Sequence, residues 1–307
     1  MKPTIYIKEF LFLLTSVLVS TSALSGAKTY PPVIKGADEV IYKTVDGIDL
    51  KLWVFNPQSD QSPAAPAMIF FFGGGWRVGS PESFVSQAQY LAQRGMIGIV
   101  ADYRVKSRHG VKAKSCVEDA RDALRYVSAH AASMQINPER IGVGGGSAGG
   151  HLAACLGTLY AKDGFAPNAL ALYNPATILA PIESETMRSA HSQEMLEKAN
   201  QLLKSRQLEL RNRTGLDPIE LSPYHHINEL TPPTIIFHGT NDKRVPFISA
   251  KIFTEQLQAN QVNVALKIYE GSRHGFFNRE PYLSQTTAEL DSFLVSLGWL
   301  GTTQRHP

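Results

Sequence analysis

Ile141-Gly142-Val143-Gly144-Gly145-Gly146-Ser147-Ala148-Gly149 reads as an apolar strand that enters a glycine-rich turn and leaves as a helix. Two signatures overlap in it. G-x-S-x-G spans Gly145 to Gly149 with Ser147 at its centre, and G-x-G-x-x-G takes Gly144, Gly146 and Gly149. A serine at a sharp strand-to-helix turn has a strained backbone and an exposed hydroxyl, and it needs flanking residues without a Cβ. The helix start beneath it favours developing negative charge. The second signature is a phosphate-binding turn, placed between the same kinds of element. These nine residues alone do not separate the two.

The neighbouring strands do. A dinucleotide site needs an acidic residue at the end of the next strand. That strand, Ala169–Tyr173, runs into Asn174 instead. The serine reading needs an acid and then a histidine, each in a loop after a later strand. Thr234–His238 is followed by Gly239-Thr240-Asn241-Asp242, and Val264–Tyr269 by Glu270-Gly271-Ser272-Arg273-His274. Ser147, Asp242 and His274 therefore all leave the carboxyl ends of strands, the edge where open α/β sheets carry their sites. In that reading His274 takes the Ser147 proton and Asp242 orients the imidazole. Glu270 and Asp217 are rival acids. Upstream, Phe70-Phe71-Phe72 ends another strand and Gly73-Gly74-Gly75-Trp76 follows. Such a run points backbone N–H groups at a substrate oxygen, with Gly74, Gly75 and Ala148 the expected oxyanion donors. Trp76 either packs under this loop or lines a substrate pocket.

The rest of the pattern predicts the sheet. Val40–Val45 and Leu50–Phe55 flank Asp46-Gly47, a hairpin turn signal. Ala67–Phe72 and Met96–Ala101 are short apolar runs, as in parallel strands buried on both faces. Helical spacing is expected over Ser83–Arg94, Cys116–Met134, Ala148–Tyr160, Ile248–Ala259 and Thr287–Leu297. The alternation predicts an α/β protein, a mostly parallel doubly wound sheet opening on an antiparallel hairpin. Between the strands ending at Tyr173 and beginning at Thr234, residues 176–230 are too long for a simple connection. Ala190–Arg213 within them is amphipathic, with Met195, Ala199, Leu202 and Leu203 as its apolar stripe. The segment is expected to be a small helical cap over a fairly open pocket.

These motifs together, GGGW at 73–76, DYR at 102–104, GGSAGGHLA at 145–153, GTNDKRVP at 239–246 and HGF at 274–276, resemble the α/β-hydrolase family. The similarity is greatest to the esterase and lipase group related to hormone-sensitive lipase and to exported carbohydrate acetyl and feruloyl esterases. It covers about 40–297. It implies a serine esterase without a cofactor, acting on small or polysaccharide-linked esters, and a bracing role for Asp102. A histidine usually precedes the three glycines in this family; here the residue is Phe72, which leaves open what braces the loop. Serine peptidases of the prolyl-oligopeptidase type and non-catalytic binding proteins share the core. The former carry a large propeller for which this chain has no room, and the latter tend to lose a triad member.

The chain has 307 residues, 43% of them hydrophobic, and a net charge of +3 spread along its length, so nothing in it suggests a nucleic-acid partner. Lys2 and Lys8, the apolar run Phe10–Val19 and the small residues Ser20 to Ala27 have the order of a secretory signal peptide. Residues 1–25 are expected to be removed and residues 30–300 to form the hydrolase domain, secreted or periplasmic and without a stable membrane anchor. Cys116 and Cys155, on different predicted helices, read as core thiols with a disulfide as the alternative. No metal-ligand spacing is present. His151, on the helix after Ser147, reads as a packed residue able to touch the site.

Overall fold

The structure is a computed structural model and describes residues 30–58 and 64–302. The predicted signal peptide lies outside the described residues. Eight strands form one sheet in the order β1-β2-β4-β3-β5-β6-β7-β8. They are β1 (Asp38–Val45), β2 (Ile48–Phe55), β3 (Ala65–Phe71), β4 (Ile97–Ala101), β5 (Ile136–Gly146), β6 (Ala169–Tyr173), β7 (Thr234–Gly239) and β8 (Val264–Tyr269). Only β2 opposes its neighbours; β3 to β8 are all parallel. The hairpin turns on Asp46 and Gly47, at φ 53° and 74°. Two successive residues at positive φ match the right-handed twist of the flanking strands, and Asp-Gly tolerates them.

The helices are α1 (Val85–Gln93), α2 (Lys106–His109), α3 (Ala113–Ala129), α4 (Ala148–Thr158), α5 (Glu185–Arg188), α6 (Gln193–Thr214), α7 (Phe247–Ala259) and α8 (Tyr282–Ser296). Side chains alternate along β3. Ala67, Ile69 and Phe71 join a core with α3, α4 and α7, and Met68 and Phe70 join one with α1 and α8. Period-2 alternation with both faces covered is what a central parallel strand requires. Cys116 and Cys155 are free and buried in the first core. Burial pushes the Cys116 thiol up to about 12.

Several predicted limits move. The strand expected to begin at Ile141 is the end of an eleven-residue β5, because Ile136 already pairs with Ala65. The helix expected over 116–134 runs 113–129 and ends in turns leading to Gln135, at φ 55°. The helix expected from 287 begins at 282, directly after Pro281, whose fixed φ suits a helix entry. In α6 the buried stripe is Leu196, Ala199 and Leu203, one residue off the predicted Met195; Leu202 is exposed and lines the pocket described below.

The order 4-3-5 determines where a site can form. The chain leaves β3 outward to β4 and returns to β5 on the other side of β3. Adjacent strands whose connections diverge leave a crevice at their carboxyl ends. Here that crevice lies between the loop after Phe71 and the turn after Gly146. A buried charge cluster joins the layers. Arg104 reaches both oxygens of the fully buried Asp119 at 2.9 Å, and Lys43 reaches the same carboxylate at 2.7 Å. This ties β1 and the segment after β4 to α3. Asp119→Ala should destabilise the chain by about 3–5 kcal/mol, because it strands a buried guanidinium. Urea unfolding reads this; a loss below about 1 kcal/mol would mean that the cluster does not hold the layers together.

Candidate active site

Ser147 sits between β5 and α4 with φ 54° and ψ −114°, a backbone state rare for residues with a Cβ. It is held there from several sides. Its N–H donates to Tyr173 O at 2.8 Å and its carbonyl accepts from His151 N–H at 2.9 Å. The glycines permit the turn. A Cβ on Gly145 would lie 2.5 Å from Phe71 O, and one on Gly149 2.0 Å from the same oxygen. The start of α4 thus lies directly against the end of β3, with first-turn N–H groups near the serine.

The structure brings the three loop residues together. Ser147 Oγ is 2.9 Å from His274 Nε2, and His274 Nδ1 is 2.7 Å from Asp242 Oδ2. Asp242 is buried, and its other oxygen accepts from the N–H groups of Arg244 at 2.8 Å and Val245 at 3.0 Å. Burial opposes ionisation of this carboxyl, but the His274 hydrogen bond and the two backbone donors outweigh it and hold Asp242 below the usual carboxylate range. With Nδ1–H donating to the carboxylate, Nε2 is left as an acceptor for the hydroxyl proton. This geometry can turn a serine into a nucleophile. The rival acids are engaged elsewhere. Glu270 is exposed and accepts from Thr240, and Asp217 caps the short turn Pro218–Leu221.

Two supporting residues escaped the sequence reading. Asn174, buried and at φ 36°, accepts from Gly275 N–H at 3.0 Å and so ties the His274 loop to β6. In the sequence Asn174 speaks only against a nucleotide site; its place just past a strand end, on the same edge as Ser147, is the available signal. His238 is buried behind Asp242, 3.7 Å from Oδ2, with Nε2–H donating to Val245 O at 2.9 Å. Burial holds its imidazole below the ordinary range.

Gly73, Gly74, Gly75 and Ala148 line one cavity with Ser147 and His274, about 760 Å³ in volume. Gly74, at φ 127°, has no room for a side chain, since Val78 O would lie 2.0 Å from its Cβ. The bracing left open by Phe72 is aromatic: its ring stacks on Tyr103 at 4.0 Å, and Tyr103 O–H donates to Phe72 O at 2.6 Å. Asp102 is buried and accepts from Tyr103 N–H at 2.7 Å. Trp76 both packs and lines. It is 5% exposed, and its indole N–H donates to His151 Nδ1 at 3.2 Å. His151 in turn donates through Nε2 to Leu221 O at 2.7 Å, so one neutral imidazole joins the glycine loop, α4 and the segment before β7.

Burial pushes the His151 imidazole down to about 4, and burial likewise holds His109, His225 and His238 below their ordinary range. A histidine that is harder to protonate when folded binds fewer protons than its unfolded form, so stability falls as the pH drops below about 6.5. For His151 the loss amounts to about 3 kcal/mol by pH 4 and then levels off. His151→Gln keeps one acceptor and one donor and should remove this share of the acid sensitivity. Urea titrations at pH 7 and pH 4.5 measure it; an unchanged difference between wild type and variant would contradict the assignment.

Comparison with known proteins identifies an esterase family. A family model described as BD-FAE matches residues 52–257, and one described as the dienelactone hydrolase family matches residues 219–303. Among solved structures, a thermophilic esterase from Thermogutta terrifontis is 40% identical, with a TM-score of 0.79 over 91% of this chain and 99% of that one. The same esterase has been solved phosphoramylated by tabun and with butyrate bound. Among curated sequences, a probable carboxylic ester hydrolase of Mycobacterium tuberculosis is 27% identical over 68% of this chain and 48% of its own length. An AB hydrolase superfamily protein of Schizosaccharomyces pombe is 29% identical over 68% of this chain and 62% of its own. The chain therefore spans about half to three fifths of these curated relatives. On the match over 52–257 and the shared fold, the chain belongs to the BD-FAE family of α/β-hydrolase esterases.

Proposed function

We propose that this chain is an exported serine carboxylic-ester hydrolase acting on short acyl esters, acetyl groups on carbohydrates among them. The observation that carries the catalytic reading is the hydrogen-bonded chain from Ser147 Oγ through His274 to Asp242, opening into a cavity beside Gly74 and Gly75. Ser147 Oγ attacks the ester carbonyl carbon while its proton passes to His274 Nε2. Asp242 stabilises the imidazolium. The carbonyl oxygen, now an oxyanion, is received by backbone N–H groups of Gly74, Gly75 and Ala148. Collapse breaks the carbon–oxygen bond to the alcohol, which leaves with the proton from His274. Water then adds to the acyl-serine, with His274 as base, and releases the acid and the free serine.

Short acyl groups are favoured by the propionate and butyrate bound in the Thermogutta terrifontis esterase. Export and a carbohydrate-borne ester are supported by the leader-like order of residues 1–25 and by the resemblance to exported carbohydrate esterases.

On 4-nitrophenyl acetate and butyrate, Ser147→Ala should lower turnover by on the order of 10⁴–10⁶ with an unchanged melting temperature, and Asp242→Asn by roughly 10⁴. Near-normal turnover by a folded Ser147→Ala chain would end the reading. Near-normal turnover by Asp242→Asn would move only the acid. For export, N-terminal sequencing of protein recovered outside the cytoplasm should begin between residues 24 and 28; an intact Met1 on that protein would refute cleavage.

A further inference from the structure

The cavity beside Ser147 is unevenly charged. Arg206 and Arg213 of α6 and Lys243 and Arg244 of the loop after β7 line it, against one lining carboxylate, Glu82. Glu82 lies in the short turn Pro81–Phe84 and accepts from Ser80 Oγ at 3.1 Å. On α6 one carboxylate serves both arginines: Glu209 lies 3.6 Å from Arg206 Nε and 2.5 Å from Arg213 Nη2. Among the described residues, Lys243 and Arg244 have no ion-pair partner. Arg213 lies against the glycine loop, with Nη1 3.7 Å from where a Cβ on Gly75 would stand. A guanidinium over the glycine loop and two unpaired cations on the loop that carries Asp242 leave the cavity with a surplus of positive charge. Cations focused in a concave site with low-dielectric walls attract and orient anions.

We infer that the ester cleaved here carries a carboxylate a few bonds from its scissile carbonyl, received by Arg213 together with Lys243 and Arg244. This deepens the esterase reading and rests on it. The reaction is unchanged: the carboxylate takes no part in bond making and serves as a handle. It can sit on the acyl side, as in the half-ester of a dicarboxylic acid, or on the alcohol side, as in an acetylated uronic acid.

The test compares esters matched in size. One arm pairs 4-nitrophenyl hemiglutarate with 4-nitrophenyl pentanoate, and the other pairs acetylated glucuronic acid with acetylated glucose. In one arm the charged ester should win by about tenfold in kcat/KM at low salt, and the advantage should shrink in 0.5 M sodium chloride. The winning arm identifies the side that carries the charge. Arg213→Gln, and Lys243→Gln with Arg244→Gln, should each lower the charged-to-neutral ratio several-fold. Binding of glutarate and pentanoate to the Ser147→Ala chain is measured in parallel by calorimetry. If no ester is turned over yet glutarate still binds more tightly, the esterase reading fails and the anion site stands. Equal rates for charged and neutral esters in both arms would overturn the inference and leave the esterase standing. So would a preference that survives both sets of substitutions.

Discussion

The site depends on a backbone contact that only glycine permits. The end of β5 and the start of α4 lie so close to the end of β3 that a methyl group on Gly145 or Gly149 would collide with Phe71 O. That approach places Ser147 at the edge of the sheet with its φ in the left-handed region and sets the glycine loop after Phe72 beside it. Gly73 shares the same constraint from the other side, because its Cβ would lie 2.9 Å from Gly146 O. A strained nucleophile and its donor loop are thus two ends of one packing contact.

The remaining parts reach that point from the same edge. Asp242 follows β7 and His274 follows β8, and the parallel register of β5 to β8 brings their carboxyl ends into line. Each support is a buried or half-buried polar contact. Asn174 fixes Gly275, the N–H groups of Arg244 and Val245 fix the second oxygen of Asp242, and His151 joins Trp76 to Leu221 O. In a low-dielectric setting such contacts orient strongly and are costly to leave unmade. This explains how loop residues far apart in sequence can hold a chain of hydrogen bonds at 2.7–2.9 Å.

Much of this was legible in the residues. Short continuous apolar runs and Asp46-Gly47 indicated the parallel sheet and its hairpin, and the order of Ser147, Asp242 and His274 after successive strands put them on one edge. Contacts between distant polar residues were not legible. Asp119 lies on the apolar face of α3, three residues after Cys116 and four before Ala123, which marks it as buried without naming Arg104 as its partner. Asn174 and His238 likewise stand at strand ends, but their hydrogen bonds depend on loop paths that no periodicity encodes. On α6 the expected stripe begins one residue early, at Met195 instead of the buried Leu196, and it counts Leu202, which is exposed and lines the cavity. An apolar residue lining a site cannot be told from a core residue by spacing alone.

The central claim is that Ser147 is a nucleophile activated by His274. Incubating the intact chain with diethyl 4-nitrophenyl phosphate and mapping the adduct by mass spectrometry tests it most directly. The account predicts one diethylphosphoryl group, on the peptide containing Ser147, appearing in step with the loss of ester turnover. Full loss of turnover with the adduct on another residue, or intact turnover with Ser147 fully modified, would contradict it.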